Sequence, residues 1–257
     1  MSGRRAAGAN GGAMSGNGAT GESGATSGNG VAAEIVLPLV EVFETVEGEG
    51  TAAGYPTVFI RLFGCPLRCV WCDTPYSYAP HEPEMRLTVA EICARVGDFS
   101  SARVCLTGGE PLMFGWRSVA LLNALVALPQ LVDIHVETSG AIALEPFLDQ
   151  VRSNKVRYIV DYKLPASGET HRMHLPNLRL LRPMDELKFV IADERDFRAA
   201  VDVLHTHKPG GAALFSPVFG RMPPQQLVER ILAEGLANVR LNLQIHKVIW
   251  DPQQRGV

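Results

Sequence analysis

Thr57-Val58-Phe59-Ile60-Arg61-Leu62-Phe63, followed at once by Gly64-Cys65-Pro66-Leu67-Arg68-Cys69-Val70-Trp71-Cys72, is the stretch on which the reading of this chain turns. A run dominated by β-branched and aromatic side chains predicts a strand. The Cys-x3-Cys-x2-Cys segment behind it predicts a loop at that strand's C-terminal end. The same unit recurs outward from it: further strands are expected at Leu39–Thr45, Ala102–Leu106, Asp133–Glu137, Tyr158–Asp161, Glu186–Ile191, Ala213–Pro217 and Val239–Leu243. Between them lie helical patterns at Thr88–Val96, Gly115–Leu128, Glu145–Ser153, Asp193–His205 and Pro224–Glu234. Thr88 with Glu91 three residues later is a capping box, Asp193 suits an N-cap, and Pro224 suits a first turn. Strand and helix in alternation predict an α/β fold with a mostly parallel sheet and outer helices. Periodicity leaves an open sheet and a closed or partial barrel as alternatives.

Polar motifs follow the strands: Thr107-Gly108-Gly109-Glu110-Pro111, Glu137-Thr138-Ser139-Gly140 and Asp161-Tyr162-Lys163-Leu164-Pro165. In parallel α/β architectures that rim is where ligands bind.

Ten of the 25 glycines lie in the first 30 residues, which are otherwise almost all Ala, Ser, Asn and Thr. Such a segment buries too little apolar surface to offset its ordering entropy, so residues 1–30 are expected to be a disordered tail and 31–257 one domain. With 24 basic against 27 acidic side chains and no block of like charge, nothing predicts a direct grip on nucleic acid or an anionic membrane. No apolar stretch is long enough to span a bilayer, and without a secretory or transit signature the expected location is cytoplasmic.

Five cysteines, three of them within eight residues, point to a reducing compartment and a metal or redox cluster rather than a disulfide framework. Cys65, Cys69 and Cys72 can hold three irons of a 4Fe–4S cubane and leave the fourth open to another chelator. Zinc completed by His81, His171 or His174 is the alternative, and it would make the chain a zinc-stabilised α/β interaction protein. Cys93 and Cys105 are expected to pack in the core.

The aromatic Trp71 directly before the last cysteine, with Gly108-Gly109-Glu110-Pro111 one βα unit later, resembles the radical S-adenosylmethionine (SAM) superfamily. The likeness narrows through Val46-Glu47-Gly48-Glu49-Gly50, Trp71-Cys72-Asp73-Thr74, Glu137-Thr138-Ser139-Gly140, Glu186-Leu187-Lys188-Phe189-Val190-Ile191, Phe215-Ser216-Pro217-Val218 and Gln244-Ile245-His246-Lys247. Together these resemble the 7-carboxy-7-deazaguanine synthase family, from about Glu41 to the C-terminus. The resemblance implies a partial TIM-like (βα) barrel and a homodimer. It also implies conversion of 6-carboxy-5,6,7,8-tetrahydropterin to 7-carboxy-7-deazaguanine, with loss of ammonia, in 7-deazapurine (queuosine) biosynthesis. A radical SAM activating enzyme working on a protein partner is the nearer alternative.

By the same resemblance the cofactors are a 4Fe–4S cluster on Cys65, Cys69 and Cys72, SAM, and Mg2+ at Thr74, with a reductant such as flavodoxin or ferredoxin. SAM is expected at Trp71, Cys72, Asp73, Gly109, Glu110, Ser139, Asp161, Tyr162 and Lys163. The pterin carries a carboxylate and a guanidine-like edge, and is expected at Val46, Glu47, Gly48, Arg61, Thr107 and the terminal carboxylate of Val257. Of these, Arg61 suits a bidentate carboxylate clamp.

Overall fold

The computed structural model describes residues 34–257; the tail expected at residues 1–30 lies outside the described residues. Nine strands form one sheet: β1 (Val36–Val46), β2 (Pro56–Leu62), β3 (Met85–Thr88), β4 (Arg103–Gly108), β5 (Asp133–Thr138), β6 (Val156–Tyr162), β7 (Glu186–Ile191), β8 (Ala212–Pro217) and β9 (Val239–Leu241). Their order is β3-β1-β2-β4-β5-β6-β7-β8-β9, with every pair from β2 to β9 parallel and β1 antiparallel to both its neighbours. β3 and β9 are the free edges, so the sheet is an open, partial barrel curled around one cavity.

Seven α-helices lie among the described residues: α1 (Val89–Gly97), α2 (Trp116–Val126), α3 (Glu145–Gln150), α4 (Asn177–Leu180), α5 (Glu194–His207), α6 (Pro224–Ala233) and α7 (His246–Ile249). The expected caps form: Glu91 N donates to Thr88 Oγ1 (3.2 Å), Thr88 N donates to Glu91 Oε2 (2.7 Å), and Asp196 N donates to Asp193 (3.0 Å). β3, α4 and α7 had no predicted counterpart, since each is too short to show a period.

Strand alternation sorts the side chains. Val58, Ile60 and Leu62 of β2, Val104 and Leu106 of β4, and Ile134 and Val136 of β5 form the outer core, in one apolar cluster with Ile92, Leu121, Leu122, Leu125, Phe197 and Leu227 from the helices. Each such side chain contributes roughly 1.5–3 kcal/mol on burial. The opposite positions of the same strands, Arg61, Thr107 and Glu137 among them, face the cavity. On β1 the register shifts between Leu39 and Glu41. That bulge moves the odd positions from the core (Leu37, Leu39) to the interior (Phe43), and Val42 takes over the core side.

Candidate active site

Two connections at opposite ends of the parallel strands build the site. At the C-terminal end, the cysteine loop leaves β2 and is pinned from three sides. Gly109 N donates to Leu62 O (3.0 Å), Glu110 N to Gly64 O (2.7 Å), Gly64 N to Ser77 O (2.6 Å) and Val70 N to Ser167 O (3.1 Å). Arg68 Nη1 donates to Cys65 O (2.9 Å) and Leu67 O (2.7 Å), while Glu169 accepts from Arg68 N (2.7 Å). A Cβ on Gly108 would sit 2.1 Å from Leu62 O, and one on Gly109 would sit 2.0 Å from Gly64 O. These glycines therefore seat the cysteine loop against the neighbouring strand, a close approach of chain to chain.

At the other end, the β1–β2 connection (residues 47–55) folds under the sheet as a floor. Glu47 Oε2 lies 2.6 Å from His135 Nε2, Gly50 N donates to Asn242 Oδ1 (2.7 Å), and Thr51 Oγ1 donates to Glu186, which also receives Arg157 Nη1. His135 is held from its other nitrogen by Asp133 (2.9 Å). Burial opposes its protonation, but the carboxylates of Asp133 and Glu47 on its two ring nitrogens outweigh that and hold the imidazole well above its ordinary pKa. Cys105 is buried as expected, but on the inner side of the sheet and outside the apolar cluster. It faces the interior beside Glu47 and His135, where burial pushes its thiol up to about 12. Cys93 packs against the core from α1.

Between floor and cysteine loop lies a cavity of about 590 Å³. It gathers Val46, Glu47, Gly48, Arg61, Cys65, Cys69, Trp71, Cys72, Asp73, Thr74, Thr107, Gly109, Ser139, Asp161, Tyr162, Lys163 and Val257, all of them expected site residues. Glu110 alone is left out. Its carboxylate is fully buried and accepts from Leu112 N (3.0 Å), Thr138 Oγ1 (2.9 Å) and Ser139 N (2.7 Å). Its place in the motif is to tie β4's exit to β5's exit, and burial raises its pKa.

The inner wall is ionic. Lys188 Nζ lies 3.3 Å from Glu49, 3.4 Å from Glu137 and 3.8 Å from Asp161; Lys163 Nζ lies 2.9 Å from Asp161 Oδ2. Burial, with Glu49 and Glu47 adding to it against Lys188, pushes Glu137 up to about 7. Asp161 Oδ1 is buried with no hydrogen-bond partner among the described residues. An uncompensated acceptor on a cavity wall is a place for a ligand's hydroxyl. Arg61 Nε donates to Glu41 Oε1 (2.7 Å), its partner directly across the β1–β2 ladder, and its Nη atoms donate to no described residue.

Glu49, Lys188, Gln244 and His246 stand within the motifs quoted above with no assigned contact, and Phe43, Tyr76 and Arg255 carry no signal in the sequence; all seven border the cavity. One signal was available: Asp133, His135 and Glu137 occupy every second position of β5, and Arg157 and Asp161 of β6 and Glu186 and Lys188 of β7 fall on the same alternation in otherwise apolar strands. Gly48 makes room for His246, because a Cβ there would lie 2.1 Å from its Nδ1.

The three clustered thiols share this cavity wall, half-buried and free of disulfides. Among the described residues the convergent set with ligand atoms within 4.8 Å of one another is Glu47, Cys105 and His135, and the three clustered cysteines are no such set. One tetrahedral zinc needs its ligands closer than that; separate irons of one cubane do not. The donor set thus fits a 4Fe–4S cluster, which Cys65, Cys69 and Cys72 would hold.

An open parallel half-barrel carrying this loop at the end of β2 defines a radical SAM enzyme, and the family profile of the radical SAM superfamily matches residues 59–161. Across the chain, similarity is to the 7-carboxy-7-deazaguanine synthases of Clostridium acetobutylicum (36% identical, 85% of this chain and 98% of that one) and Leptospira interrogans (37%, 84% and 96%). The chain belongs to the 7-carboxy-7-deazaguanine synthase family. The crystal structure of QueE from Escherichia coli shares the fold, with a TM-score of 0.62 at 24% identity over 85% of this chain and 99% of that one.

Proposed function

We propose that this chain is a carbon–nitrogen lyase that converts 6-carboxy-5,6,7,8-tetrahydropterin to 7-carboxy-7-deazaguanine and ammonia, in 7-deazapurine biosynthesis. The observation that carries the reading is one cavity that joins the three-cysteine loop to Arg61 and to the ionic wall of Glu49, Glu137, Asp161, Lys163 and Lys188. With a cluster on Cys65, Cys69 and Cys72, bound SAM supplies radical initiation. The chain's own residues bind and orient.

Arg61, fixed through Nε by Glu41, turns its free Nη edge to the substrate carboxylate. Guanidinium geometry matches a carboxylate bidentately. Glu137, poised near neutrality in the ionic wall, holds or moves a proton as ammonia departs. The backbone of residues 46–48 and the hydroxyl of Thr107 border the pterin, and the terminal carboxylate of Val257 suits its guanidine-like N–H edge. For SAM, Asp161 Oδ1 takes a ribose hydroxyl, Lys163 and Ser139 flank the carboxylate and ribose, the Gly108-Gly109 carbonyls take the ammonium, and the backbone of 71–73 borders the adenine. The Thr74 hydroxyl is a hard oxygen donor that would hold Mg2+ together with substrate oxygens and waters.

A cavity of this size suits a small molecule better than a peptide loop. No helix among the described residues is long and apolar enough to cross a membrane, and a reducing cytoplasm suits five free thiols. A homodimer and a flavodoxin- or ferredoxin-type reductant complete the proposal. Leu243, Val248 and Ile249, exposed at the C-terminal edge, offer a second copy an apolar surface.

Anaerobic reconstitution is the test. Iron, sulfide and broad charge-transfer absorbance are expected, all lost together with pterin turnover in Cys69→Ala. A colourless protein with stoichiometric zinc would overturn the reading.

A further inference from the structure

The C-terminal segment lines the cavity from Pro252 to Val257, yet it has almost no purchase on the body. Its local hydrogen bonds, Gln254 N to Asp251 O (2.9 Å) and Gln253 N to Asp251 Oδ1 (2.8 Å), stay within the segment and its leading turn. Among the described residues, its hydrogen bonding to the rest of the protein runs through one side chain, Arg255. The Arg255 guanidinium lies 4.0 Å over the Tyr76 ring, donates from Nη2 to Glu84 Oε1 (2.6 Å), and lies 3.8 Å from Glu41 Oε2. Glu41 is the residue whose other oxygen, Oε1, receives Arg61 Nε at 2.7 Å. Tyr76 OH points to the same Oε1 at 3.5 Å.

Three elements therefore meet on one arginine: β1 through Glu41, the turn after the cysteine loop through Tyr76, and the chain just before β3 through Glu84. We propose that Arg255 is the positioning residue that seats the C-terminal segment on the cavity and, by sharing Glu41 with Arg61, couples that seating to the orientation of the substrate clamp. The kinetic half of this rests on the function proposed above; the structural half does not.

Magnitudes set how the latch behaves. Arg255 and Glu84 are 41% and 50% exposed, and an exposed ion pair with one cation–π contact biases the closed segment by only about tenfold. A segment held so weakly opens often enough to admit substrate, and opens further as salt screens the pair.

The test uses the full chain with Arg255→Ala, Arg255→Lys and Glu84→Gln. Two readouts are taken: carboxypeptidase release of Val257, and KM and kcat for the carboxypterin beside SAM cleavage measured without pterin. Arg255→Ala is expected to release Val257 about tenfold faster and raise KM several-fold, with pterin-free SAM cleavage unchanged. Arg255→Lys restores part of both, and Glu84→Gln falls between because Glu41 remains. Equal release from wild type and Arg255→Ala would overturn the latch, whatever the substrate proves to be. Faster release with KM unchanged would overturn the coupling to the site. Wild type that releases Val257 slowly but turns over no carboxypterin would sink the proposed function while leaving the latch standing.

Discussion

Arg61 shows how one side chain is made into a tool. Burial in a low-dielectric wall would disfavour a lone guanidinium, and Glu41 at 2.7 Å compensates while occupying only Nε. Arg61→Ala is expected to raise KM for the carboxypterin about tenfold or more, the scale of one lost charge-assisted contact, with little effect on pterin-free SAM cleavage. Equal loss of both activities would show that Arg61 is structural. Glu137 gives a pH signature. Its folded pKa of about 7 lies above that of an exposed carboxyl, so the folded chain holds this proton more tightly than the unfolded one. That contribution to stability is full at acid pH and is lost as pH rises toward 7. Glu137→Gln should therefore raise Tm relative to wild type at pH 8 and not at pH 5, by several degrees for roughly 1–2 kcal/mol in a domain of this length. A pH-independent difference would contradict the assignment. Arg61 could be singled out from its position before the cysteine loop, but its partner could not, because the bulge at Val40 decides which β1 residues face inward.

The elements that matter most are the two connections. Gly108 and Gly109 were readable as a motif from sequence, with Gly109 expected against SAM; their tight approach is to Leu62 and Gly64. Gly109→Ala is accordingly expected to displace the cysteine loop, lowering iron incorporated on reconstitution well below that of wild type while the far-UV spectrum is retained. Full iron loading would show that the loop tolerates the shift. The floor was legible only in part. Val46 to Gly50 could be quoted as a likeness, but its contacts run to His135, Glu186 and Asn242, which lie 88 to 192 residues away in sequence. No local pattern encodes such pairings. Helix caps, by contrast, are local, and Thr88 with Glu91 formed as read.

At the scale of the molecule, alternation of strand and helix was enough for an α/β sheet, and the outer core follows from it. What periodicity left open was curvature: a half-barrel needs the inward face to be polar and filled, which here takes the ionic wall of Glu49, Glu137, Asp161 and Lys188. Residues 1–30 carry too little apolar side chain to pack, so a chain beginning at residue 31 should keep the activity of the whole, and a large loss of kcat/KM on that trimming would contradict the domain boundary. The central claim is that this cavity makes a deazapurine from a carboxylated pterin. Its most direct test is mass spectrometry of the products formed when the anaerobically reconstituted protein meets SAM, a one-electron reductant and 6-carboxy-5,6,7,8-tetrahydropterin. 7-Carboxy-7-deazaguanine is expected in many-fold excess over enzyme; reductive cleavage of SAM with the pterin recovered unchanged would show that the cavity does not make a deazapurine.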